Sequence, residues 1–300
     1  MTVAIVLLSY NGREDTVACL TSLRALDEPV TRIVLVDNGS TDGTPEAVAE
    51  EFPEVEVLPQ TENLGFAEGN NVGIRHAIAA GAEWILIANN DTLFAPDTVT
   101  NMLAAATSSP DIGVVCPLIL YADQPDRIWY AGRDFDARRG YHGRPHGFGD
   151  VDHGQFGGVR DVGTATGCAM LMPVAAIEEV GLMAPELFLY LEDIDWCLRF
   201  REAGFRVVVA GDARLWHRVS ATGGGEHNPG IYYYGVRNTL EVCNRHAPLH
   251  GLRGARRTAE TLIAYTVFVR RAQHKAKSLR AIAEGFRDQR ARRLGPRGAA

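Results

Sequence analysis

Asp91 ends the apolar run Trp84-Ile85-Leu86-Ile87-Ala88, directly after Asn89 and Asn90. A carboxylate so placed offers hard oxygen ligands to Mg²⁺ or Mn²⁺. Asn-Asn-Asp-Thr is also ordinary turn chemistry for closing a strand, and the residue types alone leave both readings open. Asp37 and Asn38 follow a second apolar run, Ile33 to Val36, in the same manner. They can meet a base or ribose edge, or form an Asx turn that caps the next helix. Glu192, Asp193 and Asp195 place three acids together, beside the apolar Tyr190, Leu191 and Trp196. Mutual repulsion in such surroundings raises a pKa and suits one of them as a general base, while acids also favour a helix start. His217, after another apolar stretch, is either a cation ligand or a structural histidine.

The elements around these residues follow a strand–helix rhythm. Val3 to Leu8 predicts a first strand, and Ser9-Tyr10-Asn11-Gly12-Arg13 turns out of it. Val17, Leu20 and Leu23 recur at helical spacing, predicting a helix over about 14–26. Ile33 to Val36 is a second buried strand; Thr44 then reads as an N-cap, with Pro45 and Glu46 in the first turn of a helix reaching about Phe52. Val55 to Leu58, a helix led in by Asn63 to Asn71, and the run at Trp84 complete the series. Alternation of this kind indicates an α/β protein with a mostly parallel, Rossmann-like central sheet flanked by helices, with ligands beyond the carboxyl ends of the strands.

After Pro110 the pattern changes. Gly113 to Leu120 predicts a strand, but Tyr121 to Gly163 is long, polar and rich in Gly, Asp and Arg, as functional loops or hairpin regions are. Gly167 to Met172 is compact and apolar, with a helix from about Pro173. The run from Leu187 to Arg199 enters another helix; Phe205 to Ala210 is a last strand, and Leu215-Trp216-His217 follows it. The expected organisation is one half over residues 1–112, a second half of the same domain over 113–247, and a basic helical extension over 248–300.

With 46% apolar and 22% charged residues in a chain of 300, the composition is that of a soluble globular protein. The net charge of −7 hides an asymmetry, since residues 251–300 hold thirteen Arg or Lys against three acids. An acidic body excludes nucleic acid as the expected partner, whereas a basic tail can meet an anionic surface. Five scattered cysteines without a CxxC pair point to reduced thiols, a cytoplasmic location and no zinc site. Without a run of about 18 apolar residues, no membrane-spanning helix is expected. Neither a Gly-x-Gly-x-x-Gly turn nor a P-loop occurs, which argues against nicotinamide-binding Rossmann enzymes and P-loop kinases.

Several blocks, in order, resemble family 2 glycosyltransferases, the inverting nucleotide-sugar enzymes of GT-A fold, and within them the bacterial rhamnosyltransferase-like branch. They are Val36 to Thr44, Asn63 to Gly73, Leu86 to Thr92, Gly167, the run from Phe188 to Arg199, His217, and Tyr233-Tyr234-Gly235-Val236-Arg237-Asn238. The resemblance covers about residues 3–245. It implies transfer of a sugar from a nucleotide-diphosphate donor, first dTDP-rhamnose and then a UDP-hexose, to a hydroxyl of a glycan or lipid-linked acceptor in cell-surface polysaccharide synthesis. It places Asp91 on a divalent cation, Mg²⁺ or Mn²⁺, with His217 as a further ligand. Asn89 stands where many relatives carry the first acid of an Asp-x-Asp motif. Ser9, Tyr10, Asp37 and Asn38 match the nucleoside pocket, and Asn63 and Asn70 a loop that closes it; Asn11, Asn89 and Asn90 complete the expected donor-binding set. Asp193 matches the catalytic base, with Glu192 in support or on acceptor hydroxyls.

Two other functions share parts of this pattern. A sugar nucleotidyltransferase usually carries a Gly-rich basic loop after its first strand, where this chain has Ser-Tyr-Asn-Gly; a non-catalytic sugar-nucleotide-binding protein would not need Asp91, Asp193 and His217 together. The tail is expected to rest on the inner face of the plasma membrane. Leu262, Tyr265, Val269 and Ala272 recur at helical spacing there, with Arg270, Arg271, Lys275, Lys277 and Arg280 among them. Packing of that stripe on the protein's own body, or in a homodimer, is the alternative.

Overall fold

The computed structural model describes residues 1–27, 30–219 and 229–298. Its first seven elements are β1 (Val3–Ser9), α1 (Arg13–Leu23), β2 (Arg32–Asp37), α2 (Thr44–Glu51), β3 (Val55–Pro59), α3 (Gly65–Ala79) and β4 (Trp84–Asn89). The four strands lie parallel in the order β4-β1-β2-β3. Crossover helices cover both faces of such a sheet, which is why its strands read as unbroken apolar runs. Ile5, Val6, Leu7, Val34, Leu35, Leu86 and Ile87 are all fully buried. Thr44 does not cap α2 as expected. It lies inside the helix, and the Asp42 carboxylate accepts its N–H at 3.1 Å.

The chain continues through β5 (Thr92–Phe94), α4 (Thr98–Thr107) and β6 (Ile112–Tyr121) into the polar segment. That segment forms short strands, β7 (Ile128–Tyr130), β8 (Phe135–Asp136), β9 (Tyr141–His142) and β10 (Val159–Asp161), joined by turns. Then come β11 (Ala169–Pro173), α5 (Val174–Val180), α6 (Glu192–Glu202) and β12 (Arg206–His217). The whole sheet runs β10-β12-β6-β11-β4-β1-β2-β3, and β11 is antiparallel to both of its neighbours. Its entry point, Gly167-Cys168, therefore lies at the carboxyl ends of β4 and β6. The last strand is longer than expected: Arg206 to His217 is one strand, with an irregularity between Ala210 and Arg214. Its far end pairs with β5, setting His217 opposite Thr92 and so beside Asp91.

Three helices follow, α7 (Pro229–His246), α8 (Gly251–Phe268) and α9 (Lys275–Arg290). The tail is thus two helices, interrupted by a 3₁₀ turn over Val269–Arg271. The stripe expected to face a membrane faces inward. Val269 and Ala272 are buried with Tyr232, Tyr233 and Ile282, and Leu262 and Tyr265 pack against that cluster. An amphipathic pattern records which face is apolar but not what covers it, and here α7 and α9 cover it. All five cysteines are free and buried.

Candidate active site

Along the carboxyl edge of β1, β2 and β4 most of the expected donor-binding side chains are engaged with the protein itself. Ser9 is fully buried and shares a hydrogen bond with the Thr16 hydroxyl. Asn90 donates to the same hydroxyl at 2.8 Å and to Ser9 Oγ at 3.3 Å, tying β4 to the turn after β1. Asn11, in the left-handed region at φ 49°, accepts the Thr41 N–H at 2.8 Å. Asn38 donates to Asn63 Oδ1 and to the Gly65 carbonyl, both at 3.1 Å, and accepts from the Leu64 N–H. Asn70 donates to the Phe66 carbonyl. Asp37 accepts the Ser40 N–H with Oδ2, but its Oδ1 is buried without a partner, as is Asn70 Oδ1. Tyr10, 44% exposed, stands at the rim of this edge.

Asp91 and His217 converge. Asp91 Oδ1 and His217 Nε2 are 3.1 Å apart. The alignment is not that of a hydrogen bond, and Asp91 Oδ1 and His217 Nδ1 are both buried without a partner. The Trp129 ring meets the imidazole edge to face, 4.5 Å between centroids. Among the described residues no group of three or more His, Cys, Asp or Glu side chains converges as a closed metal cage. One carboxylate and one imidazole still suit a divalent cation that completes its shell with substrate phosphates and water. Adjacent ligands on an octahedral ion at about 2.1 Å stand about 3 Å apart, which matches the observed approach.

Glu192 and Asp193 open α6 behind an unusual approach. Phe188, Tyr190 and Leu191 have positive φ of 64°, 67° and 72°, which is uncommon for bulky side chains and is held only by surrounding structure. The support comes from α7. Asn238 Nδ2 donates to the carbonyls of Leu187, Leu189 and Tyr190 at 2.8, 3.0 and 2.8 Å, and Arg237 donates to that of Leu187. Neither side chain is exposed. Gly65 locks the loop from the other side, because a Cβ there would lie 2.5 Å from the Phe188 ring. Arg237 and Asn238 were visible in the sequence only as members of a block; nothing in their spacing announced a clamp.

Asp193 is half-buried, and its carboxylate accepts the N–H groups of Gly167 at 3.0 Å and Ile194 at 2.8 Å. Burial raises its pKa, and these donors with the Arg133 charge hold the rise back. Glu192 is lifted further, well above the glutamate range, by burial and then by the charge on Asp193; its Oε2 has no partner. The pair is therefore unequal: burial raises both carboxyl groups, Glu192 the more, and only Asp193 has N–H donors to its carboxylate. Asp195 does not belong with them. It is buried against Arg199 at 3.0 Å and His246 at 3.1 Å. Burial pushes its pKa up, but the bond from His246 and the charges of Arg199 and Arg245 bring it below the aspartate range. Two residues, about 200° around the helix, separate these roles and turn Asp195 to the opposite side of α6.

Glu192 and Asp193 line a cavity of about 660 Å³, a size suited to a small organic ligand. Its other walls include Trp129, Arg133, Phe148, Tyr190, Ile231, Ala264, Tyr265 and Phe268. Trp129 touches both this cavity and His217, so the cavity and the Asp91–His217 pair adjoin. The polar segment of 121–163 thus supplies one wall, and the helical extension supplies another.

Residues 4–180 match the family described as Glycosyl transferase family 2. An N-acetylglucosaminyl-diphospho-decaprenol L-rhamnosyltransferase of Mycobacterium tuberculosis is 29% identical over 238 residues, 73% of this chain and 77% of that protein. A dTDP-rhamnosyl transferase of Shigella flexneri is 25% identical over 283 residues, 92% of this chain and 90% of that protein. Among solved structures, a mannosyltransferase of Pyrobaculum calidifontis in complex with GDP-Man and Mn²⁺ superposes with a TM-score of 0.58 at 18% identity, over 96% of this chain and 75% of that one. The fold is of the GT-A type. Glu192, Asp193 and His217 all lie beyond residue 180, where the family match ends.

Proposed function

The chain belongs to glycosyl transferase family 2, and from that premise we propose that it is an inverting enzyme acting on a lipid-linked acceptor. Its donor is a nucleotide-diphosphate sugar, dTDP-rhamnose first and a UDP-hexose second; two relatives bear rhamnosyltransferase names. The observation that carries the reading is the position of Asp193, its carboxylate held by two N–H donors beside Glu192, on an apolar cavity that adjoins Asp91 and His217. Asp193 takes the proton of the acceptor hydroxyl as that oxygen attacks the anomeric carbon. The bond to the diphosphate breaks on the opposite face, and the nucleoside diphosphate leaves with the electron pair. One displacement inverts the centre. Asp91 and His217 would hold a Mg²⁺ or Mn²⁺ ion, which supplies positive charge for the diphosphate. Asp37 and Asn38, with Tyr10 at the rim, would receive the nucleoside.

The membrane contact moves to a different face of α8. Leu252, Arg256, Ala259, Ile263 and Val267 lie on one side of the helix by their spacing. Leu252 is 90%, Ile263 62% and Val267 51% exposed. Arg253, Arg256, Arg270, Lys275, Lys277 and Arg280 are exposed around them. Apolar side chains within a basic surface suit an anionic leaflet, to which each cation contributes about 1 kcal/mol. Among the described residues no helix is long and apolar enough to cross a membrane.

Turnover is tested with a nucleotide-sugar panel, with Mg²⁺ or Mn²⁺ and with EDTA, reading the product's anomeric configuration by NMR. Inversion with cation dependence is expected, and Asp91→Ala should weaken donor binding by about 10–100-fold, with His217→Ala milder. Retention of configuration overturns the mechanism; full activity in EDTA overturns the cation site. Ile263→Ser with Val267→Ser should abolish co-sedimentation with anionic vesicles. Undiminished sedimentation, or a dimer lost in the variants, would make that face an oligomer contact.

A further inference from the structure

Arg133 is the only basic side chain among the described residues lining the cavity. Its backbone is fixed, exchanging hydrogen bonds with Thr164 at 3.3 and 2.8 Å. Its guanidinium stands 6.0 Å from the centroid of the Tyr130 ring. Nε is buried without a partner, and among the described residues no carboxylate is within ion-pair distance. Other partly covered arginines of this chain are satisfied: Arg199 and Arg245 by Asp195 and its neighbours, Arg237 by backbone carbonyls. Nε of this partly covered arginine is removed from water without a partner, so an anion that enters the cavity is its natural complement. The planar fork of arginine suits phosphate oxygens in particular.

What else lines the cavity restricts that anion. Ile231, Ala264, Tyr265 and Phe268 form an apolar wall. Ala264 follows Ile263 on α8, so this wall borders the exposed ridge proposed to meet the membrane. The same cavity is lined by the carboxylates of Glu192 and Asp193. A ligand matching all three features has a hydroxyl for Asp193, an anion for Arg133 and a hydrocarbon chain leading toward α8. A free glycan lacks the last two.

We propose that Arg133 binds the diphosphate of a prenyl-diphosphate-linked acceptor, and thereby selects it over a neutral glycan. The proposal rests on reading this cavity as the acceptor site. Farnesyl diphosphate, farnesol and inorganic diphosphate serve as probes in calorimetric titrations of the full chain, with dTDP titrated in parallel. Wild-type protein should bind farnesyl diphosphate about tenfold or more tighter than farnesol, as one charge-assisted contact provides. Arg133→Gln should erase that preference and leave dTDP affinity unchanged, and Arg133→Lys should restore part of it. Equal binding of the two prenyl probes by wild-type protein overturns the proposal. So does a loss of dTDP affinity in Arg133→Gln equal to the loss for farnesyl diphosphate, which would assign Arg133 to the donor. A shifted pH profile of kcat with unchanged affinity for farnesyl diphosphate would make Arg133 only a counter-charge to Asp193. Failure of the cavity reading is distinguishable, because Ala264→Trp, which crowds the apolar wall, would then leave both prenyl probes bound as before.

Discussion

The strand-end edge of β1, β2 and β4 and the cavity in front of α6 treat polar side chains in opposite ways. At the edge, Asn11, Asn38, Asn70 and Asn90 bond to the protein's own loops, and the open atoms are few: one oxygen each on Asp37, Asn70 and Asp91. In the cavity the ionisable groups Glu192 and Arg133 keep atoms without partners, inside apolar walls and behind three residues with positive φ. A hydrogen-bonded edge is a rigid frame that offers a few fixed contacts. A cavity of unpaired groups leaves its interactions to be completed by a substrate, and there electrostatics are strongest.

Asp193→Asn bears hardest on this contrast. It should lower kcat by about 10²–10⁴-fold, the contribution of a general base, while nucleotide affinity at the edge stays near wild type. A matching fall in nucleotide affinity, measured by calorimetry, would mean the two regions are not separable. In the wild type, the acid limb of the kcat–pH profile should lie above the ordinary aspartate range, because burial raises the Asp193 pKa.

Asn238→Ala sharpens the comparison at intermediate size. It removes the Asn238 donor from the carbonyls of Leu189 and Tyr190 and leaves that of Leu187 to Arg237, which should cost about 1–3 kcal/mol in urea unfolding. Misplacement of Asp193 should also lower kcat by about tenfold. Lost stability with unchanged kcat would show that the loop geometry survives without its clamp.

The smallest effect lies behind α6. Burial works against a charged His246, but its bonds to Asp195 and Glu202 and their charges raise its pKa overall. A group raised on folding stabilises fully below its unfolded pKa, about 6.5, and loses that contribution as pH climbs through the folded value. Asp195, lowered on folding, contributes above the ordinary aspartate range and fails only in stronger acid. Wild-type Tm should therefore drop by about 2 °C relative to His246→Gln as pH rises from about 6 to 8. Parallel melting curves for the two proteins over that range would remove the ion pair from the account.

Much of the first half was legible because its signals are local. Apolar runs marked β1, β2 and β4, and the polar residues after them marked the edge. The resemblance placed Asp193 and His217, but why His217 meets Asp91 depends on β12 pairing with β5, a long-range register with no local signature. Asp195 looked equivalent to Asp193, since proximity in sequence does not say on which side of α6 a side chain falls. The tail's apolar stripe was read correctly as a stripe, and its covering by α7 and α9 required tertiary structure. Arg133 lies in a segment without periodicity, so composition could not separate it from Arg127, Arg138 or Arg139.

The placement of β11 has a consequence for how the chain is made. This strand, from residues 169–173, fills the gap between β4 and β6, which are complete by residues 89 and 121. During synthesis the two earlier strands must wait some fifty residues or more with apolar flanks and open edges. Unpaired edges of that kind are templates for association with other chains. A fragment ending near residue 112 would carry β4 with one edge bare and should aggregate, although it holds the whole parallel quartet. The sheet is expected to become a stable unit only once its late central strand is in place.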